Sequence, residues 1–527
     1  MEGDVQSLEA SADLGPAARP RAGMTLTRRA ALNGLAAALD IVARAGVELV
    51  LNPLLVGRLG DHLYGAWRFL WRLTGSVHAA SGRSSQALKL SIANRKGSVD
   101  EREKRELVGS AIGVWLLFLP LLALAGGAAA WLAPSFLRTA PEVLWSVRGA
   151  ALMLVAYVIV SSVVDVPRAI LQGENLGYKR MGLSAFLVIL GGALMALAVD
   201  RGAGIIGVAA ANLVTMILTG VLFVLVVRTH VSWAGIARPT LAALGSFVRL
   251  SWWFVVWKLV TQAMLAGDVM VLGLAGSVES VTIYTLTAFV PGTVLSLDRL
   301  LVAGVAPGLG ELIGSGNWRA AARVRAEVMT LTWLAAISTG ATVLIWNRPF
   351  LRVWVGEAYY AGTIETLLII LMVGQFALLR NDANFIDLTL TIRRKVLLGL
   401  LSVFLSLILA ALFVGGLGGG ISGLCVGIIA GRILLTFEYP RQVGRLLGLS
   451  WRRQVMAVLR PAAATVVIFA AAFTLAGSPK AETWLALSVG PAVTFVAVVV
   501  SSVLLGLSGA DRDALRSRIR RVFHAAA

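Results

Sequence analysis

The chain has 527 residues, of which 58% are hydrophobic and 14% charged, with 47 Lys/Arg against 28 Asp/Glu; its mean hydropathy is +0.82. Soluble domains carry about 25% charged residues, so the composition excludes an ordinary aqueous enzyme and indicates a polytopic membrane protein. The single cysteine, Cys425, excludes an intrachain disulfide and a cysteine metal cluster. With the N-terminus placed in the cytoplasm, about 32 Lys/Arg fall in cytoplasmic segments, about 7 in outer loops and about 8 within spans. The net charge of +19 is therefore read as membrane topology rather than as a nucleic-acid surface.

In chain order, residues 1–24 are polar, with Pro16 and Pro20, and are expected to be a disordered cytoplasmic tail rather than a signal peptide. The N-terminal lobe, 25–228, opens with an apolar span from Ala30 to Leu59 that carries Asn33, Asp40, Arg44 and Glu48. At ~100° per residue these four share one stripe roughly 80° wide. A charge at mid-span costs on the order of 2.5–3.5 kcal/mol, so the stripe should avoid lipid. It is either an ion triad, Asp40 with Arg44 and Glu48, that locks the helix to its neighbours, or part of a substrate or ion pathway.

The second span begins near Asp61 and carries Tyr64, Trp67, Arg68, Trp71 and Arg72. Arginine forks suit phosphate and flat aromatic faces suit sugar rings; the alternatives are interface anchoring for the tryptophans and snorkelling for the arginines. The charged loop Asn94 to Glu106 follows, then spans at 107–132, 147–171, 181–199 and 204–227. Asp165 and Arg168, three apart in the fourth span, suit a mutual pair.

Residues 229–249, with Pro239, are predicted to form an amphipathic linker on the cytoplasmic face. A second lobe, 250–440, has spans at 250–275, 281–309, 328–346, 364–388, 396–414 and 420–437. Its polar positions are Lys258, Gln262 and Asp268, then Asp298 and Arg299, then Arg380, Asn381 and Asp382. Residues 441–508 hold a basic loop from Arg441 to Arg460 and two further spans, and 509–527 is a basic cytoplasmic tail whose arginines suit anionic lipid headgroups. The expected fold class is all-α, with about fourteen transmembrane helices and both termini inside.

The two lobes echo each other at an offset of about 216 residues. Trp131-Leu-Ala-Pro-Ser-Phe-Leu-Arg138 aligns with Trp346-Asn-Arg-Pro-Phe-Leu-Arg352, Gly204-Ile-Ile-Gly-Val208 with Gly420-Ile-Ser-Gly-Leu424, and Asp165 with Asp382. A parallel repeat of this kind places a site between its halves. The sequence contains no Gly-x-x-x-x-Gly-Lys-Ser/Thr phosphate loop, and its four histidines show no His-x-x-x-His spacing for zinc. Outer loops are too short for the acidic centre of a membrane glycosyltransferase or polymerase, which favours transport over catalysis.

The order of Leu32-Asn-Gly34, Pro53, Leu59-Gly60, Tyr64-Gly65-Ala-Trp67, Leu171-Gln-Gly173, Gly267-Asp268, Tyr284 and Trp354-Val-Gly356 resembles the polysaccharide (O-antigen and exopolysaccharide) flippases. These belong to the multidrug/oligosaccharidyl-lipid/polysaccharide exporter superfamily. The resemblance runs from Thr25 to Leu507. It implies two six-helix lobes around a cavity in a bacterial inner membrane. It also implies flipping of undecaprenyl-diphosphate-linked oligosaccharide to the outer leaflet by alternating access, with a polysaccharide polymerase or glycosyltransferases as pathway partners. In that reading Arg44, Arg68, Arg72, Lys258 and Arg299, with Tyr64, Trp67 and Trp71, bind substrate. Asp40, Glu48 and Asp298 are candidates for proton or sodium coupling, with no other cofactor. Asn33, Asp165, Arg168, Asp268, Arg380 and Asp382 are secondary candidates. The rivals are a lipid II flippase, a MATE-type cation antiporter and, from another class, an integral-membrane glycosyltransferase or polymerase.

Overall fold

The computed structural model describes residues 26–80, 85, 88–89, 91–92, 101–137, 139–174, 176–239, 241–389, 392–479, 481–509 and 512–513. The tail expected at 1–24, most of that at 509–527, and the loop through 93–100 lie outside the described residues. Long apolar runs become helices because lipid offers no partner for a backbone N–H or C=O, so each segment must satisfy its own. The fold is all-α. Among the described residues its helices are α1 (Leu26–Ala80), α2 (Glu101–Phe136), α3 (Leu144–Gly173), α4 (Met181–Asp200), α5 (Gly204–His230), α6 (Leu241–Ala275), α7 (Val278–Thr287), α8 (Phe289–Gly314), α9 (Trp318–Trp354), α10 (Thr363–Leu388), α11 (Ile392–Ala411), α12 (Gly420–Leu446), α13 (Trp451–Leu475) and α14 (Trp484–Gly506). Ser277, Asn317, Ser450 and Thr483 cap α7, α9, α13 and α14, each side chain accepting a backbone N–H three residues on.

Eleven of these helices are long and apolar enough to cross a membrane, and α7 with α8, bent by 58°, make a twelfth. α1 is excluded by its charges, yet it is two helical segments meeting at Gly60 (φ 75°, ψ 169°). Tyr64 donates a 3.2 Å hydrogen bond to Asn52, twelve residues back. On a straight helix these two would stand about 18 Å apart, so the chain reverses at Gly60. Each arm has roughly the 20 residues a crossing needs, which accounts for the expected total.

Three expectations change. Leu241 to Val248 are the first turns of the continuous helix α6, not a separate interfacial linker. The connection itself is residues 231–239, tied to the first lobe where Arg105 Nε donates to the Trp233 carbonyl at 2.9 Å and Trp233 Nε1 to Glu174 at 2.9 Å. The basic stretch from Arg441 to Arg460 is mostly helix, because α12 runs on to Leu446 and α13 starts at Trp451. The span expected at 281–309 is broken between Thr287 and Phe289.

In the first lobe α1 packs on α4, α2 on α3, and α5 on both α3 and α4; in the second, α12 packs on α10 and α11, and α9 on α8 and α10. α13 and α14 lie against α9, where Trp333 and Trp346 donate to Thr465 and Thr494, both at 2.9 Å. The duplication is visible in the backbone: Gly202 and Gly204 (φ 77° and 56°) lead into α5 as Gly418 and Gly420 (φ 65° and 52°) lead into α12. Left-handed backbone at two alternate positions is cheap only for glycine.

Candidate functional site

α1 is the element shared by both lobes. It packs against α4 on one side and against α6, α7 and α8 on the other. At the end of the molecule carrying Gly60 the lobes are clasped. Thr282 donates to the Asp61 carbonyl at 2.7 Å, Tyr359 donates to the Asp61 carboxylate, and His62 Nδ1 stands 3.1 Å from Glu279. Trp354 Nε1 donates to the Leu49 carbonyl at 2.6 Å. Burial first, then the hydrogen bond to Asp61 and its charge, push the Tyr359 phenol up to about 12, so it remains a donor at neutral pH. Gly65 lets α7 approach closely here, since a Cβ on it would stand 2.2 Å from the Val278 carbonyl oxygen.

Inside the first lobe, α1, α3, α4 and α5 line an open cavity of about 440 Å³. Asp40, Arg44 and Glu48 from the first arm of α1 line it, with Trp67, Arg68 and Trp71 from the second. α3 adds Tyr157, Arg168 and Gln172, and α5 adds Asn212, Thr215 and Thr219. Trp67 and Trp71 stand 5.7 Å apart, and Trp71 and Tyr157 5.4 Å, forming a continuous aromatic wall. The guanidinium of Arg68 lies 6.0 Å over the Tyr64 ring.

Three of the four residues of the polar stripe, Asp40, Arg44 and Glu48, thus line one cavity. Asp40, Arg44 and Glu48 form no ion triad: no pair among them comes within ion-pair distance, and neither Arg44 nor Arg68 meets a carboxylate among the described residues. Arg44 and Glu48 are exposed to the cavity. A guanidinium held in a walled cavity without a protein counter-ion is a ready anion site.

The other residues singled out from the sequence divide. Arg72 turns away from the cavity and donates from Nη1 to the Leu265 carbonyl at 2.8 Å, joining the lobes. Lys258 is half-buried on α6, outside the cavity lining. Tyr64 is buried beside it, on Asn52. The side chains of Asn33 and Arg299 lie outside the described residues. Asp165 and Arg168 do pair, at 2.9 Å. Asp268 accepts the Tyr284 hydroxyl at 2.6 Å and the Val269 N–H at 2.8 Å.

In the second lobe the buried carboxylates Asp298, Asp382 and Asp387 each have a basic partner within the lobe. Arg380 Nη2 donates to Asp298 at 2.7 Å, Thr332 donates to Asp298 at 3.1 Å, and Asn381 donates to Thr332 at 2.7 Å. Arg325 forks onto both oxygens of Asp382, at 2.7 and 3.0 Å. Lys395 pairs with Asp387 and lies 3.6 Å over the Trp257 ring. Arg432 donates to the Met264 and Met372 carbonyls at 2.7 and 3.4 Å. Asp298, expected as a coupling carboxylate, is thus engaged by Arg380. The residues that sequence reasoning passed over are Tyr157, Gln172, Asn212, Thr215 and Thr219. The signal was there: 212, 215 and 219 recur at helical spacing, and Gln172 stands one turn beyond Arg168.

The two helical lobes meet where α1 packs on α6 and α7. No protein-family model and no curated protein matches the chain. Among solved structures it is similar to the lipid II flippase MurJ in an inward closed conformation, with a TM-score of 0.66, 12% identity, and 89% of this chain and 98% of that one covered. It is also similar to a MATE transporter in complex with MaD5, with a TM-score of 0.59 and 14% identity over 80% of this chain and 96% of that one. An inward-facing multidrug resistance MATE transporter of the MOP superfamily gives a TM-score of 0.58 at 15% identity, over 79% and 99%. The chain is a multi-pass membrane protein with the MATE/MurJ-like fold.

Proposed function

We propose that this protein is a transporter of the MOP type that flips undecaprenyl-diphosphate-linked oligosaccharide across the inner membrane for cell-surface polysaccharide export. One observation carries the reading: a walled cavity in the first lobe is lined by three guanidiniums, Arg44, Arg68 and Arg168, beside the aromatic wall of Trp67, Trp71 and Tyr157. Guanidiniums bind phosphate oxygens in two-pronged fashion, and sugar rings stack on aromatic faces. The polyprenyl tail remains in lipid while the head enters between the lobes. The clasp at Asp61, His62, Glu279 and Tyr359 lies on the side that the charge distribution assigns to the outside, so this state takes its load from the cytoplasm. Rocking of the lobes about α1 releases the head outward, and a proton or sodium ion at Asp40 or Glu48 resets the carrier.

Lipid II is a second reading favoured by the same cavity, because its head is also a sugar-bearing diphosphate and the MurJ fold covers most of the chain. An organic-cation exporter fits less well, since cationic cargo would meet Arg44, Arg68 and Arg168 against only Asp40 and Glu48 in the lining. The test is leaflet exchange in proteoliposomes with a tagged undecaprenyl-diphosphate oligosaccharide and, separately, tagged lipid II. Exchange of one or both lipids that drops at least about tenfold in Arg44→Ala and Arg68→Ala supports the proposal and names the cargo. Antiport of organic cations with no lipid exchange overturns it.

A further inference from the structure

Between Gly204 and Val227 the only polar side chains of α5 are Asn212, Thr215 and Thr219, and all three line the cavity. Their protons are already committed. Thr215 donates its single hydroxyl proton to the Ala211 carbonyl at 2.7 Å, and Thr219 donates its own to the Thr215 carbonyl at 2.7 Å. Asn212 Nδ2 donates to the Val208 carbonyl at 2.9 Å and to the sulfur of Met195, on α4, at 3.0 Å. A carbonyl oxygen and a thioether sulfur are both acceptors, which fixes the amide with its nitrogen toward them. Its Oδ1 is left with no donor among the described residues.

What this face offers a ligand is therefore lone pairs alone, from one amide oxygen and two hydroxyl oxygens spread over about two turns of helix. Gly191 of α4, also in the lining, keeps the middle one uncovered, since a Cβ there would stand 3.2 Å from Thr215 Oγ1. The guanidiniums of Arg44, Arg68 and Arg168 are the opposite case, with five N–H donors each and no acceptor. They come from α1 and α3, and the carboxylates of Asp40 and Glu48 also stand on α1. The cavity is thus chemically sided. An acceptor face has nothing to give a phosphate oxygen, but it is complementary to hydroxyl groups, each of which brings a proton. Packing alone accounts for the back-bonded threonines; it gives no reason for every polar side chain of the span to share the cavity face.

We propose that this face of α5 is the sugar-reading surface of the carrier. Asn212 Oδ1 and the hydroxyl oxygens of Thr215 and Thr219 accept hydrogen bonds from the hydroxyl groups of the head while the guanidiniums hold its phosphates. The head is thereby oriented, with its phosphates toward α1 and α3 and its sugar toward α5. Such a surface selects by donor content. A head whose hydroxyls are replaced by fluorine keeps its shape but brings no proton, so it leaves the acceptors unpaired once water is displaced. Sites built to bond a hydroxyl reject such analogues far more strongly than apolar pockets reject a change of size. The inference rests on the reading of the cavity as the seat of a sugar-bearing diphosphate.

The test is binding to the full chain in nanodiscs of three fluorescent polyprenyl diphosphates: bare, carrying a hexose disaccharide, and carrying the same disaccharide with its hydroxyls replaced by fluorine. The readout is the ratio of affinities for the two glycosylated heads, from which any loss of folded protein cancels. The wild type should prefer the hydroxylated head by at least about tenfold. Asn212→Leu and, separately, Thr215→Val with Thr219→Val should each cut that preference about fivefold. Arg44→Gln should weaken binding of all three lipids and leave the preference in place. Equal affinity of the wild type for the two glycosylated heads overturns the inference with no variant needed. A preference unchanged in both α5 variants overturns it too. So does a sodium dependence of binding that those variants abolish while the preference stays, which assigns the acceptors to a cation. With any of these results, weak binding in Arg44→Gln leaves the diphosphate reading standing. Wild-type affinity of Arg44→Gln for the bare diphosphate overturns that reading as well.

Discussion

At the scale of single residues, charge inside this membrane protein takes two forms with opposite energetics. In the second lobe, Asp298 and Asp382 are 2% and 1% exposed and each has a dedicated arginine. Removing one partner of such a pair leaves a buried charge uncompensated, which costs roughly 3–5 kcal/mol, whereas replacing both by apolar groups of similar size is close to neutral. Arg380→Met is therefore expected to lower stability by about that much, and adding Asp298→Leu should restore most of the loss. Unfolding midpoints of the purified variants in one detergent check both. In the cavity, Arg44 has no counter-ion among the described residues. Arg44→Gln should shift stability by less than about 0.5 kcal/mol while abolishing lipid exchange. The dissociation of stability from transport, measured on the same preparations, separates a ligand-binding charge from a structural one.

Residue identity was enough to set these charges apart from an ordinary apolar span, because every polar group on a stripe facing the acyl chains would add its own insertion cost. It was not enough to say where each one goes. Arg68 and Arg72 are one turn apart, yet one lines the cavity and the other bonds a carbonyl of α6. The difference comes from which helix packs at each level, a tertiary fact with no trace in local spacing. Asp298 and Arg380 are 82 residues apart, and nothing in either neighbourhood names the other. The polar face of α5 was legible by period alone and went unused because uncharged Asn and Thr carry little insertion cost.

At the scale of elements, glycine decides where the chain turns and how closely helices meet. The span boundaries were legible to within a few residues for most of the chain, since length and hydropathy dictate them. The exceptions arise where charge or a break interrupts the pattern. α6 absorbs the expected linker, and the bend after α7 divides a run that reads as continuous. Gly60 lies in a region of φ/ψ space that is essentially reserved for glycine, worth on the order of 1–3 kcal/mol when another residue is forced into it. Nothing lies within 4 Å of where its Cβ would stand, so the cost of Gly60→Ala is backbone strain alone. The expected fall in unfolding midpoint should be matched by Gly60→Ser, because side-chain size has no bearing there. Gly65 is the converse case. Its backbone is ordinary helix, but a Cβ would collide with the Val278 carbonyl oxygen. Gly65→Ala should push α7 away and open the clasp without preventing insertion. Spin labels on Arg58 and Glu357, both exposed at that end, should report a longer mean distance than in the wild type.

At the scale of the whole molecule, the arrangement is asymmetric: the clasp closes one end, the arginine-lined cavity lies in the first lobe, and in the second lobe Asp298, Asp382 and Asp387 are each paired with a basic side chain. The halves were legible as a duplication from short matches at one offset, and the paired glycines before α5 and α12 carry that duplication into the backbone. Their division of labour was not legible, because it depends on whether each charge finds a partner. If transport is a rocking of one lobe against the other, the clasp must open once per cycle. His62→Cys with Glu279→Cys, bridged by a short, cleavable bis-thiol reagent, should hold it shut. These positions are 3.1 Å apart at their side-chain tips and substantially exposed, while the native Cys425 is buried and out of reach. Lipid exchange is expected to fall to the protein-free background on bridging and to return when the bridge is reduced, with either single variant unaffected by the reagent. Exchange that continues with the bridge in place would mean that the head crosses without parting the lobes at this end, leaving a groove along the outside of the bundle as the route.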